Sequence, residues 1–336
     1  CPGSQEDPDS GYASRYSHQR ETATPAYYRL HLDDYGIEAE LTATERVGFH
    51  RYGFPETPGS RQIVINLFDG NGDDRATETF LEQEDDRTIR GYRYSTGWSK
   101  RQRIYFSARF SIPVKLDIYR DDRPVEGSSV ERGVNIKGIV RLPDDTRSVS
   151  VKVGISPVSM SGADRNIESE LPGWDFEETV RRTARKWERE LDKVAVEGAD
   201  DRTWRIFYTG LYHAFLQPSL FNDCDGRYRG ADGMVHEDPG HETYTVFSLW
   251  DTYRAAHPLY TLLQAVGNGH TYLPEDELLA SASELLRVDP EQIRDQLMDL
   301  QMEKKLVVKT QGEKRIVYAS QYYYLELNSA KMLSDL

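Results

Sequence analysis

From residue 27 to about residue 155 the chain alternates apolar and polar residues with period two, and after Pro172 the period becomes helical. That switch constrains the fold more than any other feature. Side chains on a strand point to opposite faces at each step, whereas on a helix they return to one face every three to four residues. The set Tyr28, Leu30, Leu32 is followed by Ile37, Ala39, Leu41 across the turn Asp34-Tyr35-Gly36. Runs at Ile63–Leu67, Ile104–Ser107, Leu116–Tyr119 and Val149–Val153 follow, separated by Gly, Asp and Pro. Such spacing predicts an antiparallel β-sandwich. Beyond it, Phe176, Val180, Trp187, Leu191 and Val194 sit at helical spacing behind a capping Asp175, and Trp204, Phe207, Leu211 and Phe215 predict a second helix with one apolar face. These aromatics are expected to form a seam between the sandwich and a helical domain.

The tail predicts a third unit. Pro274–Leu286 reads as an amphipathic helix, and Asp289-Pro290-Glu291 opens another with an acidic cap and proline in the first turn. Leu306-Val307-Val308, a polar turn at 310–313, and Ile316-Val317-Tyr318 then predict a hairpin, with a last helix from about Tyr322. Helix, helix, hairpin is the order of a winged helix. The fold class expected is therefore α+β multidomain: a sandwich over 1–160, linker helices and the start of a helical domain over 161–262, and a small winged-helix-like domain over 263–336.

Charge and cysteines narrow the function. The 336 residues carry 42 Lys and Arg against 56 Asp and Glu, a formal net charge of −14. Nucleic-acid footprints are basic, so a polyphosphate-coating role is disfavoured for the chain as a whole. Cys1 and Cys224 form neither a disulfide framework nor a metal-binding spacing. No apolar run is long enough to span a membrane. The loop Asp69–Asp74, DGNGDD, is acidic enough to suggest calcium but lacks the later ligands of an EF-hand, which favours a solvated turn.

The segment YTVFSLWDTYRAAHP at 244–258 sets Asp251 directly after Trp250. An aromatic face covers the C–H face of a pyranose, and a carboxylate accepts strong hydrogen bonds from hydroxyls. The other reading of the pair is a core tryptophan beside a helix-capping aspartate.

Several collinear motifs resemble the family-92 glycoside hydrolases, calcium-dependent exo-α-mannosidases. They include Ser14–Glu21, Thr24–Tyr28, GIEAELTATERVGFHRYGFP at 36–55, Gly97-Trp98, VKVGIS at 151–156 and SGADRNIESELPGWDFE at 161–177. FYTGLYHAFLQPSLF at 207–221, DGRYRGADG at 225–233 and the Trp250-Asp251 segment complete the set. The resemblance implies a β-sandwich followed by an α/α-toroid catalytic domain acting on α-mannosides with inversion. It implies that Trp250 and Asp251 hold the terminal mannose, with Asp223, Arg227 and Tyr228 near the same pocket. For that trio an ordered turn tied by Gly226 and Gly230 is the competing reading. His18 and Glu21 line the cleft from the sandwich side or form a structural pair. Ala26 departs from the glycine usual in the family.

The family's acid, base and calcium ligands lie downstream of the Trp250-Asp251 motif, so the resemblance implies a truncated enzyme with no catalytic residue of its own. From about Thr261 a second resemblance begins. LLQAVGNGHTYLPEDELLASASELL at 262–286, VDPEQIRDQLMDL at 288–300 and VYASQYYYLELNSAKML at 317–333 resemble the accessory region of RecD-like DNA helicases. No GxxxxGK[ST] sequence is present, which excludes motor activity. Residues 264–336 hold 8 Lys and Arg against 12 Asp and Glu, so the tail is expected to contact protein in preference to DNA. The expectation is an apparent chimera of the two families. Its alternatives are a carbohydrate-binding protein without catalysis and a DNA-binding module carried by the tail. Residues 1–262 imply a secreted, periplasmic or cell-surface location, and the tail implies a cytoplasmic one.

Overall fold

The computed structural model describes residues 13–57, 59, 61–196, 198–245, 248–252, 255–260, 272–286, 289–302, 306–311 and 314–319. The chain divides into two compact units, residues 1–190 with 211–246 and residues 191–210 with 247–336.

The first unit is built on thirteen strands: β1 Glu21–Thr24, β2 Tyr27–Leu32, β3 Ile37–Ala43, β4 Val47–Gly53, β5 Arg61–Asn66, β6 Arg75–Gln83, β7 Thr88–Thr96, β8 Gln102–Phe110, β9 Lys115–Arg120, β10 Arg123–Pro124, β11 Val130–Gly133, β12 Ile136–Leu142 and β13 Ser148–Ser156. Nine form one sheet in the order β1-β2-β3-β4-β13-β8-β7-β6-β11, and four form the other, β10-β9-β12-β5. Every pairing in the two sheets is antiparallel, as the period-two spacing predicts. Leu81, Ile89, Phe110, Ile118, Ile136 and Val140 belong to one buried cluster contributed by both sheets. Each such side chain stabilises the fold by roughly 1.5–3 kcal/mol relative to exposure.

The sequence runs indicate six of these strands, but β6 and β7 carry arginines and glutamates that blur the alternation. Their arginines pair with acids, although Arg90 Nε and Arg93 Nη2 stay buried without a partner among the described residues. Arg90 pairs with Glu82 at 3.3 Å, and Arg93 pairs with Asp74.

Two helices close over the nine-stranded sheet. In α1, Met160–Glu170, the Ser159 hydroxyl accepts from Gly162 N–H at 3.0 Å. In α2, Phe176–Leu191, Asp175 accepts from Glu178 N–H at 2.8 Å, the cap expected from the sequence. Their apolar faces meet β4 in a second cluster of Val47, Phe49, Ile167, Leu171 and Phe176. Lys152 on β13 is buried beneath their connection, donating to Leu171 O at 2.7 Å and lying 4.1 Å from the centre of the Trp174 ring.

The helix α3, Asp201–Phe215, forms where the aromatic spacing predicts it. Leu211 is buried, while Trp204 and Phe207 stay exposed. Trp204 instead packs on Tyr208 one turn away, with ring centres 4.4 Å apart.

In the tail, α5 is Glu275–Leu286 and α6 is Pro290–Met302, α4 being a short helix taken up below. They are followed by β17 Leu306–Gln311 and β18 Lys314–Ala319. Asp289 caps α6 through Glu291 N–H at 2.9 Å. The hairpin register pairs Val308 with Val317. A further strand that the sequence did not indicate, β16 at Tyr272–Pro274, pairs with β18. Leu278, Leu279, Ala282, Ile316 and Val317 are buried. Glu275 is buried with them and accepts from Arg315 Nε at 2.9 Å. The helix expected from Tyr322 lies outside the described residues.

Candidate functional site

At one end of the sandwich a turn carries the first group of expected site residues. Asp223 is fully buried. Its Oδ2 accepts from the Ser156 hydroxyl at 2.8 Å and its Oδ1 accepts from Asn166 Nδ2 at 2.9 Å. The partners are fixed in turn. Ser156 Oγ accepts from Val158 and Ser159 N–H, and Asn166 Oδ1 accepts from Cys224 N–H at 2.9 Å. A Cβ at Gly162 would collide with both Asp223 Oδ2 and Ser156 Oγ, so only glycine lets α1 approach the carboxylate. Burial pushes the Asp223 carboxyl up, against the hydrogen bonds from Asn166 and Ser156 that hold it down.

Arg227 and Tyr228 stand on β14, Arg227–Arg229, which pairs with β15, Val235–Glu237. Arg227 Nε donates to Asp225 Oδ2 at 3.0 Å, and Arg165 Nε from α1 donates to the same oxygen at 3.0 Å. Tyr228 packs against His236 across the hairpin, with ring centres 5.6 Å apart. Gly226 takes a left-handed φ of 82° beneath Pro239. The structure therefore assembles Asp223, Arg227 and Tyr228 on one turn, and it makes Asp223 and Arg227 internal clamps of that turn. A second clamp holds the same segment. Glu170 accepts from Arg46 Nη1 and Thr44 Oγ1, while Arg46 Nε donates to Asn222 O.

His18 and Glu21 lie at the β1 end of the nine-stranded sheet. His18 Nδ1 bonds Glu21 Oε2, and Tyr28 OH donates to Glu21 Oε1 at 2.8 Å. The His18 and Tyr28 hydrogen bonds hold the Glu21 carboxyl below its usual range. This is the structural pair that the sequence left open.

Trp250 and Asp251 belong to the second unit, on the single-turn helix α4, Leu249–Thr252. Trp250 is 90% exposed and Asp251 is exposed beside it. The core-tryptophan reading therefore does not describe this pair. Neither side chain has a polar partner among the described residues. The turn beneath them is tied down, with Thr252 Oγ1 donating to Ser248 O at 2.9 Å and lying 3.2 Å from His257 Nε2. Burial lowers the affinity of the His257 ring for a proton.

No three His, Cys, Asp or Glu side chains converge among the described residues in a way that would hold a metal. In the acidic loop at 69–74, Asp69 accepts from Asn66 Nδ2 at 2.7 Å and Asp74 is paired with Arg93. Those contacts order the two ends of the loop. No chemistry is assigned to a metal here.

Ser156, Asn166, Arg46 and Glu170 escaped the sequence reading as site residues. Their one signal was membership of the motifs at 36–55, 151–156 and 161–177. Spacing could not find them, because Asn166 and Ser156 stand 57 and 67 positions from Asp223.

Residues 1–156 match the glycosyl hydrolase family 92 N-terminal domain and residues 162–270 match the family 92 catalytic domain. The second match runs beyond the boundary expected at residue 262. A family GH92 α-mannosidase from Bacteroides thetaiotaomicron superposes with TM-score 0.71 at 39% identity, over 78% of this chain and 36% of its own. The same enzyme is known in complex with mannoimidazole. An inverting mannosidase of the family from the same species, strain VPI-5482, matches with TM-score 0.66 at 27% identity, over 77% of this chain and 35% of its own. An uncharacterized secreted glycosidase from Arthroderma benhamiae is 27% identical over 288 residues, 76% of this chain and 34% of its own length. This chain thus spans about a third of the length of these relatives.

Proposed function

This chain belongs to glycosyl hydrolase family 92, and we propose from that premise that it serves the inverting hydrolysis of α-mannosides in glycans outside the cytoplasm. Trp250 and Asp251 are the residues proposed to hold the terminal mannose. The observation that carries the reading is their joint exposure on a tethered helical turn within the segment that matches the family 92 catalytic domain. The indole offers its face to the sugar's C–H groups while the carboxylate accepts from two hydroxyls. Hydrogen bonds to a charged acceptor contribute roughly 1.5–3 kcal/mol each.

Inversion uses one carboxylic acid to protonate the leaving oxygen and one carboxylate to drive water onto the opposite face, about 6.5–9.5 Å apart. Neither role is assigned to a residue described here. The carboxylates of the Asp223 turn are engaged by arginine, serine and asparagine, so Asp223 is proposed to shape the site and not to transfer a proton. The helices α2 and α3 are read as the entry to the family's toroid. Calcium is proposed only through the family, and no residue of this chain is named as its ligand.

The test is calorimetric titration of residues 1–336 with mannoimidazole. Binding should occur and should weaken about tenfold or more, ~1.4 kcal/mol, in Asp251→Ala and in Trp250→Ala. Unchanged affinity in both variants would remove the assignment. Binding without release of mannose from α-mannosides would select the alternative, a carbohydrate-binding protein without catalysis. For the tail beyond residue 270, where the family 92 match ends, we propose the winged-helix-like accessory reading on the order strand, helix, helix, hairpin, with protein as the contact in view of its net acidic charge.

A further inference from the structure

The end of the sandwich that carries Asp223 also carries a loop that the proposed function does not use. Residues 97–101 connect β7 to β8. Ser156, the last residue of β13, pairs with Tyr105 near the start of β8, so this loop and the Asp223 turn share one end of the sheet.

Trp98 in that loop is 89% exposed, although an indole is on average among the more buried side chains. Its backbone is held in place. Gly97 N–H donates to Ser99 O at 3.0 Å, and a Cβ at Gly97 would lie 3.0 Å from both the Asp73 carbonyl oxygen and Asp74 Cα. The loop therefore rests against the turn before β6, and Asp74 of that turn is fixed by Arg93.

Lys100, Arg101 and Arg103 follow Trp98, and none has a carboxylate partner among the described residues. Arg90, Arg109 and Arg120 of the same unit are, by contrast, paired with acids. Arg103 is committed to the Tyr94 ring, 4.9 Å from its centre. Arg101 reaches the tip of the β14–β15 hairpin, where a Cβ at Gly233 would lie 3.5 Å from its Nη1. The cations thus stand beside the hairpin that bears Arg227 and Tyr228.

We propose that Trp98, Lys100 and Arg101 bind an anionic pyranose, a sugar ring bearing a carboxylate or a sulfate ester, on a glycan. This rests on the glycan reading above but names a site separate from Trp250 and Asp251. The indole covers the C–H face of the ring, and the guanidinium and ammonium groups meet the anion in charge-assisted hydrogen bonds. A neutral sugar gives these cations nothing to pair with. A polyanion such as a nucleic acid would be repelled by the acidic remainder of the surface. A single charged sugar satisfies both constraints.

The test uses residues 1–336 titrated with methyl glucuronide, a sulfated methyl glucoside and neutral methyl glucoside at low and high salt. At least one anionic sugar should bind at least tenfold more tightly than the neutral one. That preference should shrink as salt rises and disappear in Lys100→Ala/Arg101→Ala, while Trp98→Ala should weaken the anionic sugar about tenfold or more. The preference should persist in Asp251→Ala. A preference for only one anion upholds the site and identifies the group it takes. Equal binding of all three sugars, an unchanged affinity for the anionic sugar in Trp98→Ala, or loss of the preference in Asp251→Ala would overturn the proposal. Trp98 is so exposed that its replacement leaves the fold intact, and the salt response of the wild type tests the cations without any substitution. If mannoimidazole fails to bind while the anionic sugar binds, the mannoside reading falls and this site stands.

Discussion

Two aspartates, Asp223 and Asp251, show how differently one residue type is used in this molecule. Asp223 is buried, and both its oxygens are taken by side chains from β13 and α1. Asp251 is exposed on a four-residue helix next to an exposed indole. A carboxylate whose hydrogen bonds are all made inside the protein stabilises the fold and has little left for a ligand. One whose acceptors face solvent contributes almost nothing to folding and keeps them available. In the sequence Asp251 lies inside a family motif and Asp223 lies between two of them, and nothing there separates the ligand-facing carboxylate from the structural one.

The largest effect should come from breaking the first aspartate's surroundings. Gly162→Ala forces a methyl group into Asp223 Oδ2 and Ser156 Oγ, and overpacking of this kind costs about 3 kcal/mol. Urea denaturation followed by circular dichroism should show the midpoint of the sandwich transition fall accordingly. A variant as stable as wild type would mean that the turn is not clamped as described.

A smaller effect concerns His50 on β4, bonded to Tyr52 OH at 2.9 Å. Burial depresses the His50 pKa below its ordinary value of about 6.5, so the unfolded chain binds the proton more tightly. The His50 contribution is therefore fully present above about pH 6.5 and is lost as pH falls through the folded value. Denaturation midpoints across pH 7 to 5 should decline less in His50→Gln than in wild type, and parallel slopes would assign the acid sensitivity to other groups.

The smallest expected change sharpens the contrast. Asp251→Ala should leave the denaturation midpoint within about 0.5 kcal/mol of wild type, the usual range for surface substitutions. A loss of several kcal/mol would place Asp251 with Asp223 among the structural carboxylates.

Much of the architecture was legible because it depends on local chemistry. The alternation at Tyr28–Leu32 and Ile37–Leu41 became a paired hairpin, with Leu30 opposite Ala39. Asp175 and Asp289 capped the helices they precede. The strands β6 and β7 were missed because their arginines find acidic partners off the core, which no periodicity reveals. Helical spacing likewise says that Trp204 and Phe207 share a face but not what covers that face.

The sequence alone determined the succession of sandwich, helices and hairpin, and it supplied the motifs that identify the family, because period, capping and motif order are properties of neighbouring residues. Only the tertiary structure decided that Asp223 is a clamp and that Asp251 is exposed with no side-chain partner among the described residues, and that Trp98 stands at the same end of the sheet as the Asp223 turn. Those outcomes turn on burial and on hydrogen-bond partners dozens of residues away, and such partners meet only when the sheet order β4-β13-β8-β7 is formed.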